Sequence, residues 1–347
     1  MKILIIRFSS IGDIVLTTPA IRCVRQQVPG AEVHFLSKKV FKAVTEHNPY
    51  IDRRWYYDKN LDELIVQLKK ERYDVVIDLQ KNVRSHKIRL ALRAKVLSFK
   101  KLRLEKFFLT KLNMDIMPGH HITSRCLDAV RPLGVRDDGN GLDYFIAEEE
   151  KVKDADLPLS HRSGFIALVI GASYYTKKLP VSKLQELCGE IGFPIVLVGG
   201  KEDREEGDAV AATDPLKIYN ACGQFGLNGS ADLIRRSRLV ISHDTGMQYI
   251  ACAFHKRVLA VWGGTSPALD VEPYYGTHFS ATQEGPSYRN FVVPGLRCQP
   301  CSSFGKKKCP RGHFKCMQLQ DIRTIGDLAG KWADPEGRGP YAGPGSL

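Results

Sequence analysis

The sequence contains no apolar run near the roughly 18 to 20 residues that a membrane-spanning helix requires. Its opening stretch, residues 2–7, is apolar but too short for the hydrophobic region of a secretory signal. We therefore expect a protein of the cytoplasm. The sequence also lacks the glycine-rich phosphate-binding patterns G-x-G-x-x-G and G-x-x-x-x-G-K-[ST]. The hypothesis that the protein is a dehydrogenase or a P-loop NTPase therefore lacks its main sequence evidence.

Acidic residues are too few to balance the basic ones, since 38 Asp and Glu face 51 Lys and Arg, a formal net charge of +13. An excess of this size points to an anionic partner: nucleic acid, a membrane surface or a phosphorylated small molecule. Charge alone does not choose among them. The 43% of hydrophobic and 26% of charged residues are typical of folded globular proteins, which excludes the disordered and fibrous classes.

Short apolar segments alternate with amphipathic ones in two successive series along the 347 residues. The predicted strands are residues 2–7, 32–36, 73–79, 165–170, 194–198, 239–242 and 258–261, and the predicted helices are 14–27, 60–71, 180–191 and 247–254. This order predicts an α/β fold with two doubly wound parallel sheets. We place the domains at residues 1–155 and 156–333, and expect a mobile Gly- and Pro-rich tail at 334–347.

Polar residues follow the first predicted strand in a loop that leads into a helix. They are Ser9, Ser10, Gly12 and Asp13. Ligands bind at the carboxyl ends of parallel strands, so this loop is suited to bind an anion or take a proton. The same residues are also typical helix caps, and the segment alone favours capping.

Two further loops carry polar and glycine residues at the corresponding edge of the second predicted sheet. The first loop holds Gly171, Ser173, Lys177 and Lys178. The second begins with Asp244, Thr245 and Gly246 after the strand predicted at 239–242, and Gly264 and Thr265 follow the next predicted strand, 258–261. Lysines before a helix oppose its dipole, which is useful if they neutralise a diphosphate. Two solvated surface lysines explain the first loop equally well.

Taken together, these segments resemble glycosyltransferase family 9, the lipopolysaccharide heptosyltransferases. The resemblance is carried by I-I-R-F-S-S-I-G-D-I-V-L-T-T-P-A at residues 5–20 and D-L-Q-K-N-V-R-S at 78–85. It continues with K-K-L-P at 177–180, D-T-G at 244–246 and G-T-S-P at 264–267. The match covers nearly the whole chain.

The resemblance implies a GT-B fold, in which two Rossmann-like domains face each other across the active site. The first domain would bind the acceptor and the second the nucleotide sugar. The implied reaction is an inverting, metal-independent transfer of heptose from ADP-heptose to the inner core of lipopolysaccharide. No cofactor is implied, and the donor and acceptor are the expected partners.

The same resemblance implies roles for individual residues. Asp13 would be the general base, because a single carboxylate suffices for direct displacement. Lys177 would stabilise the leaving diphosphate. The implied donor-binding residues are Gly171, Ser173, Lys178, Asn228, Asp244, Thr245, Gly246, Gly264 and Thr265, and the implied acceptor-binding residues are Ser9, Ser10, Gly12, Arg84 and Ser85.

Two positions depart from the family pattern on the donor side. The family often has a histidine where this chain has Tyr249, and an acidic residue where it has Asn228. These departures leave the reaction class intact. They keep open a second hypothesis, the same fold acting on a different nucleotide sugar.

Basic residues are concentrated between positions 81 and 111, interleaved with leucine and phenylalanine. They include Arg84, Lys87, Arg89, Arg93, Lys95, Lys100, Lys101, Arg103 and Lys106. The stretch is either a solvated face or a surface for a phosphorylated glycolipid and the anionic inner leaflet, where each basic residue contributes about 1 kcal/mol. The second interpretation predicts a peripheral position on the cytoplasmic face of the inner membrane.

Four of the nine cysteines cluster near the C-terminus, namely Cys298, Cys301, Cys309 and Cys316. A C-x-x-C pair with two further thiols could hold a structural zinc ion, but the spacing fits no standard ribbon, and free thiols are favoured. A nucleic-acid-binding protein with a zinc knuckle is a remote third hypothesis. It leaves the loops at Asp13 and Asp244 unexplained, so no nucleic-acid partner is expected. The oligomeric state is left open.

Overall fold

The computed structural model describes residues 1–282 and 287–334, apart from the side chains at 280–282. Except for Asp334, the tail predicted to be mobile lies outside the described residues. The chain forms two compact units. Unit 1 comprises Met1–Arg103, Gly119–Phe145 and Tyr274–Ala281, and unit 2 comprises Leu104–Pro118, Ile146–Pro273 and the described part of Thr282–Leu347. The main crossing, from Phe145 to Ile146, lies ten residues before the predicted boundary at 155.

Each unit contains one sheet in which all strands are parallel. In unit 1 the strands are β1 Lys2–Ile6, β2 Glu32–Lys38, β3 Arg53–Tyr57, β4 Val75–Asp78 and β5 Lys95–Ser98. In unit 2 they are β6 Ile166–Val169, β7 Ile195–Val198, β8 Ile218–Asn220, β9 Leu239–His243, β10 Val258–Val261 and β11 Tyr288–Phe291. The spatial orders are β3-β2-β1-β4-β5 and β11-β10-β9-β6-β7-β8. Both sheets are doubly wound as predicted, with the order reversal beside the first strand of each unit.

Helices connect the strands. In chain order they are α1 Ile11–Val15, α2 Thr18–Gln27, α3 Lys42–Thr45, α4 Leu61–Lys70, α5 Val83–Leu92, α6 Arg103–Phe107, α7 Ile122–Val130, α8 Leu159–Arg162, α9 Val181–Glu190, α10 Arg204–Ala211, α11 Leu227–Arg236, α12 Gly246–Ala253, α13 Gly276–Thr282, α14 Lys315–Gln318 and α15 Ile322–Ala333. Within the described residues, none of them is long and apolar enough to cross a bilayer.

The central strands are apolar because they are buried on both faces. In β1, Ile5 pairs with Phe35 on one side and Ile77 on the other, and all three side chains are nearly inaccessible to solvent. Such strands give the continuous apolar signal that made them predictable. The four strands that the sequence did not predict, β3, β5, β8 and β11, are all at sheet edges. Edge strands carry polar residues, such as Arg53 and Arg54 in β3, so their apolar signal is weak.

The prediction of one helix at residues 14–27 was wrong in one respect, because the structure has two helices there, α1 and α2. The break falls at Leu16 and Thr17. The Thr17 and Thr18 hydroxyls each donate a hydrogen bond of 2.7 Å to a backbone carbonyl three residues earlier. Side chains that bond to the backbone in this way compete with regular helical bonding. Pro19, in the first turn of α2, has no amide hydrogen to continue α1.

Candidate functional site

Asp13 lies where β1 gives way to α1, in the first turn of that helix. Its Oδ1 accepts a hydrogen bond from Arg7 Nη2 at 2.5 Å. Its Oδ2 accepts from the backbone nitrogen of Ser10 at 2.8 Å and from the Ser10 hydroxyl at 2.9 Å. The predicted capping interaction is therefore present. A carboxylate has about four acceptor positions, and the side chain remains 30% exposed, so Asp13 can still accept a proton from a ligand.

The charge on Asp13 is set by opposing effects. Burial raises its pKa, but the Arg7 guanidinium and the hydrogen bonds from Ser10 lower it more, so the net pKa is below the ordinary value of 3.8. Asp13 is thus a carboxylate at neutral pH. Arg7 was not predicted as a functional residue. Its signal in the sequence is a charge directly after four apolar residues, Ile3 to Ile6.

The loop after β4 is joined to the loop after β1. Buried Asp78 accepts hydrogen bonds from the backbone nitrogens of Gln80 and Lys81 at 3.0 and 2.8 Å. The Gln80 side chain in turn accepts from the backbone nitrogen of Phe8 at 2.8 Å, and Arg7 donates to the Leu79 carbonyl. The two segments of the predicted acceptor side therefore form one connected edge of unit 1.

A cationic cavity of about 350 Å³ opens beside this edge, and we call it the basic cavity. It is lined by Lys81, Asn82, His86, Arg89, Lys101 and Arg103. The pKa of Lys101 is lowered by burial and by the charges of Arg103 and Arg7, while Asp78 and Asp13 act in the opposite direction. The Lys101 ammonium donates to the Gln80 and Lys81 carbonyls at 3.3 Å each, so the cavity adjoins the loop that Gln80 joins to Phe8. A cavity with this lining is suited to an anionic group.

The two acceptor residues predicted on α5 do not line the basic cavity. Arg84 is exposed, with its guanidinium 5.6 Å from the centre of the Tyr57 ring. Ser85 is fully buried and exchanges hydrogen bonds with Asn82, which fixes the start of α5. Helix capping explains Ser85 without a ligand. The sequence marked Arg89, Lys101 and Arg103 only as members of a basic stretch.

In unit 2, three residues predicted on the donor side come together at the carboxyl ends of the strands. Lys177 Nζ contacts Asp244 Oδ2 at 2.6 Å and donates to the Asp244 carbonyl at 3.0 Å. The Thr265 hydroxyl donates to the same Asp244 oxygen at 2.8 Å. The Lys177 and Asp244 side chains are only 15% and 10% exposed. The structure thus places a positioned ammonium group beside the start of α12.

His243, which the sequence analysis did not single out, holds this arrangement together. Its Nε2 accepts a hydrogen bond of 3.0 Å from the backbone nitrogen of Leu179. Burial, followed by the charges of Lys178 and Lys177, lowers the His243 pKa to about 3, so the ring is neutral. A neutral imidazole can accept this bond, which ties the turn containing Lys177 to the end of β9.

The remaining predicted donor residues occupy different surroundings. Lys178 pairs with Asp203 at 2.8 Å and Glu206 at 2.5 Å, away from Asp244. A Cβ on Gly171 would lie 2.3 Å from the Asp203 carboxylate, so Gly171 belongs to the same cluster. Ser173 is exposed.

Three further predicted donor residues lie at the starts of helices. The buried Asn228 amide, at the start of α11, donates to Glu150 at 2.8 Å. Thr245 and Gly246 begin α12, and the buried Thr245 hydroxyl has no hydrogen-bond partner among the described residues. A buried hydroxyl without a partner makes Thr245 a candidate ligand contact at this helix end.

The cysteine-rich segment packs against the donor-side loops. The backbone nitrogen of Gly264 donates to the Thr176 carbonyl at 2.7 Å, and the Cys301 nitrogen donates to the Gly264 carbonyl at 3.0 Å. Thr176 also exchanges two hydrogen bonds with Lys306. The segment therefore supports the turn that carries Lys177.

The thiols themselves are not gathered as metal ligands in the described residues. Cys298 Sγ lies 3.7 Å from His313 Nε2. Burial raises the pKa of Cys316 to about 12, and the neighbouring thiols act in the same direction. Groups of three potential ligand atoms within 4.8 Å are found instead at Cys23, Asp137 and Asp138 and at Glu32, His34 and Glu71. Structural zinc at Cys298, Cys301, Cys309 and Cys316 stays a prediction.

We expect Gly263→Ala to weaken donor binding. A Cβ at Gly263 would lie 2.2 Å from the Thr176 carbonyl oxygen and 2.6 Å from the end of the Met317 side chain. Because the nearest contact is a backbone atom, the turn before Lys177 must shift. Such a shift lowers the free energy of unfolding by about 1–3 kcal/mol. The measurement is the KM for the nucleotide-sugar donor together with the melting temperature.

Gly189→Ala is the matched control for this substitution. Gly189 lies in α9, and no atom approaches its added Cβ within 4 Å. Alanine there should stabilise the protein by about 1 kcal/mol without changing the donor KM. An unchanged donor KM in Gly263→Ala would show that the Thr176 turn does not position the donor.

Comparison with known proteins places the chain in a family. Residues 62–289 match the family model described as glycosyltransferase family 9 (heptosyltransferase). Lipopolysaccharide heptosyltransferase 1 of Campylobacter coli is 24% identical over 295 residues, covering 76% of this chain and 84% of the relative. The enzyme of the same name from Escherichia coli K12 is 26% identical over 293 residues, covering 78% and 90%.

Solved structures agree on the fold. The glycosyltransferase family 9 protein of Veillonella parvula superposes with a TM-score of 0.73 at 20% identity, covering 96% of this chain and 98% of that one. E. coli heptosyltransferase WaaC with ADP gives a TM-score of 0.65 at 21% identity, covering 87% and 96%. With its two doubly wound sheets, the chain has the GT-B fold. It belongs to glycosyltransferase family 9 and is a glycosyltransferase.

Proposed function

We propose that this enzyme transfers a heptose from ADP-heptose to an inner-core acceptor of lipopolysaccharide, with inversion at the anomeric carbon. Relatives in the family are named lipopolysaccharide heptosyltransferases, which supports the sugar and the class of acceptor. The observation that carries the proposal is the ionised Asp13 beside the basic cavity. It provides a proton acceptor and an anion-binding pocket at one edge of unit 1.

On the acceptor side, Asp13 takes the proton from the attacking hydroxyl as its oxygen bonds to the anomeric carbon. The bond from that carbon to the diphosphate breaks on the opposite face, which inverts the configuration. Ser10 and Arg7 hold the carboxylate in place. The basic cavity receives the acidic group of the acceptor, since Lys101 and Arg103 supply charged donors there. Ser9 and Gly12 shape the same loop.

On the donor side, Lys177 stabilises the negative charge that develops on the leaving diphosphate. Asp244 and Thr265 hold the ammonium group in position before the donor arrives. The Thr245 hydroxyl, which has no partner in the described part of the chain, and the amide of Gly246 lie at the start of α12, where a helix attracts anionic groups. A fixed ammonium supplies the charge that a metal ion supplies in other transferases, so the proposed transfer is metal-independent.

We place the reaction at the cytoplasmic face of the inner membrane, where a lipid-anchored acceptor is presented. The net charge of +13 supports this location because that leaflet is anionic. The enzyme would be held there peripherally.

We expect Lys101→Met to raise the KM for the acceptor by about 10- to 100-fold, because a charge-assisted hydrogen bond contributes about 1.5–3 kcal/mol. The donor KM should not change. Lys87→Met is the control, since Lys87 is exposed on α5 and does not line the basic cavity. Steady-state kinetics with each substrate varied in turn make the measurement. An unchanged acceptor KM in Lys101→Met would remove the basic cavity from the acceptor site.

A second candidate function, transfer from a different nucleotide sugar, is favoured by the surroundings of Tyr249 and Asn228. The Tyr249 hydroxyl donates to the Val271 carbonyl at 2.6 Å, and Asn228 binds Glu150. Both side chains make contacts within the protein at positions where the family often carries ligand-binding residues.

Calorimetric titration with ADP, UDP and GDP separates the two functions. We expect ADP to bind at least about tenfold more tightly than the others, a difference of about 1.4 kcal/mol. Tighter binding of UDP or GDP would favour the second function. Transfer assays with the matching nucleotide sugars then check the sugar.

A further inference from the structure

The segment 103–117 exposes an unusual number of large apolar side chains. Within thirteen residues, five such side chains are between 49% and 71% exposed. They are Leu104, Phe107, Leu112, Met114 and Ile116. Elsewhere, exposed apolar residues such as Val40, Leu159 and Leu216 stand apart in the sequence. Scattered residues of that kind are normal, whereas a concentrated group indicates a surface that is covered by something else.

The local structure of the segment explains why these side chains point outward. α6 continues into a π-helical turn, Phe108–Leu112, which ends at Asn113 in the left-handed conformation. Leu109 is buried and anchors the segment, while the Leu104 and Phe107 side chains, which lie one helical turn apart, remain in solvent. Leu104, Phe107 and Leu112 are therefore presented by a helical backbone, and Met114 and Ile116 follow in the irregular segment after Asn113.

The charged residues at positions 100–117 of the sequence are mainly positive. Lys100, Lys101, Arg103, Lys106 and Lys111 stand against Glu105 and Asp115. An exposed apolar group with basic neighbours is complementary to an anionic bilayer, whose acyl region accepts the apolar side chains and whose headgroups attract the basic ones. A protein partner would need an acidic rim around an apolar pocket to match it equally well.

We propose that residues 103–117 form a membrane-docking element that enters the interface of an anionic lipid bilayer. Leu104, Phe107, Leu112, Met114 and Ile116 enter the boundary of the acyl region, and Lys106 and Lys111 contact lipid phosphates. The element lies next to Arg103 of the basic cavity in the sequence. The proposal rests on the proposed function only for the identity of the lipid-anchored acceptor. Binding of the element to the bilayer does not depend on which sugar the enzyme transfers.

Vesicle flotation tests the element directly. The purified full-length protein is mixed with vesicles of phosphatidylethanolamine and phosphatidylglycerol, or of phosphatidylcholine alone. We expect wild-type protein to float with the anionic vesicles. The triple variant Leu104→Ser, Phe107→Ser, Leu112→Ser should lose at least about tenfold in partitioning, because three large apolar side chains no longer leave water. The double variant Lys106→Glu, Lys111→Glu should partition less onto the anionic vesicles. Its partitioning onto the phosphatidylcholine vesicles should equal that of the wild type.

The matched control is a second triple variant at apolar residues that are even more exposed, Val40→Ser, Leu159→Ser, Leu216→Ser. It should float like the wild type. Partitioning of the Leu104, Phe107, Leu112 variant at the level of this control would overturn the proposal. A changed oligomeric state in light scattering, without a change in flotation, would overturn it too, because the apolar group would then be a protein interface. Melting temperatures confirm that both triple variants are folded.

Transfer assays distinguish failure of this proposal from failure of the proposed function. The Leu104, Phe107, Leu112 variant should act normally on a deacylated, water-soluble acceptor and poorly on an acceptor embedded in vesicles. Equal loss on both acceptors would contradict a docking role. If the wild type transfers heptose to neither acceptor, the proposed function fails, while flotation still decides whether the element binds membranes.

Discussion

Replacing Asp13 by asparagine is expected to lower kcat by about 10²- to 10⁴-fold, the usual contribution of a general base. Asparagine keeps the size of the side chain and one acceptor oxygen for Ser10, but it cannot take the proton of the acceptor hydroxyl. The donor KM should stay within a few-fold of the wild-type value, because Asp13 and the donor-side residues lie in different units. Kinetics with ADP-heptose and a core acceptor make the measurement.

The pH dependence gives a second readout of the same residue. The pKa of Asp13 is lowered in the folded protein, so its carboxylate is charged above the ordinary value of 3.8 and loses its charge only at lower pH. Asp13 therefore adds no acid limb to kcat/KM near neutral pH. Arg7→Gln removes the guanidinium that lowers this pKa, so the acid limb should move to higher pH.

Asp58→Asn is the control, a carboxylate in the same unit. The Asp58 side chain is 58% exposed, and its ion pair with the Lys39 ammonium is long, at 3.7 Å. Its kcat should match the wild type. If Asp13→Asn also keeps the wild-type kcat while remaining folded, Asp13 is a helix cap and not the base.

The central strands of both sheets could be predicted from the sequence because they are buried. Strands such as β1 and β9 are enclosed on both faces, so their sequences are continuous apolar runs. The edge strands β3, β5, β8 and β11 pair on one side only, and their composition does not separate them from loops. The sequence therefore predicts the centre of each sheet and the winding, but not the width of the sheets.

The candidate site divides in the same way. The loops that hold Asp13, Lys177 and Asp244 could be found because each follows a recognisable strand, and each parallel sheet brings such loops to one of its edges. The role of each residue was predicted only from the resemblance to the family. The pairing of Lys177 with Asp244, 67 residues later, is visible only in the structure. So is the role of His243, whose ring reaches the backbone of Leu179. The basic cavity combines α5 residues with Lys101 and Arg103, and only the tertiary structure shows which basic residues share it.

Replacing Lys177 by methionine is expected to lower kcat by about 10²- to 10³-fold, the typical loss when a charge-stabilising donor is removed from a transition state. It should also destabilise the protein by about 3 kcal/mol, because Asp244 is left nearly buried without its cation. Kinetics and denaturant unfolding report the two effects separately. Lys183→Met is the control, since among the described residues Lys183 forms an ion pair only with the exposed Glu186 of its own helix. Both quantities should stay near the wild-type values.

The double variant Lys177→Met, Asp244→Asn separates the chemical from the structural role of the ion pair. Asparagine removes the unpaired charge and can still accept a hydrogen bond from Thr265, so most of the lost stability should return. The kcat should stay low, because no ammonium group faces the leaving diphosphate. Recovery of kcat together with stability would mean that Lys177 acts only by neutralising Asp244. The negative charge of the leaving group would then have to be met elsewhere, and the amide end of α12 at Thr245 and Gly246 is the part of unit 2 suited to meet it.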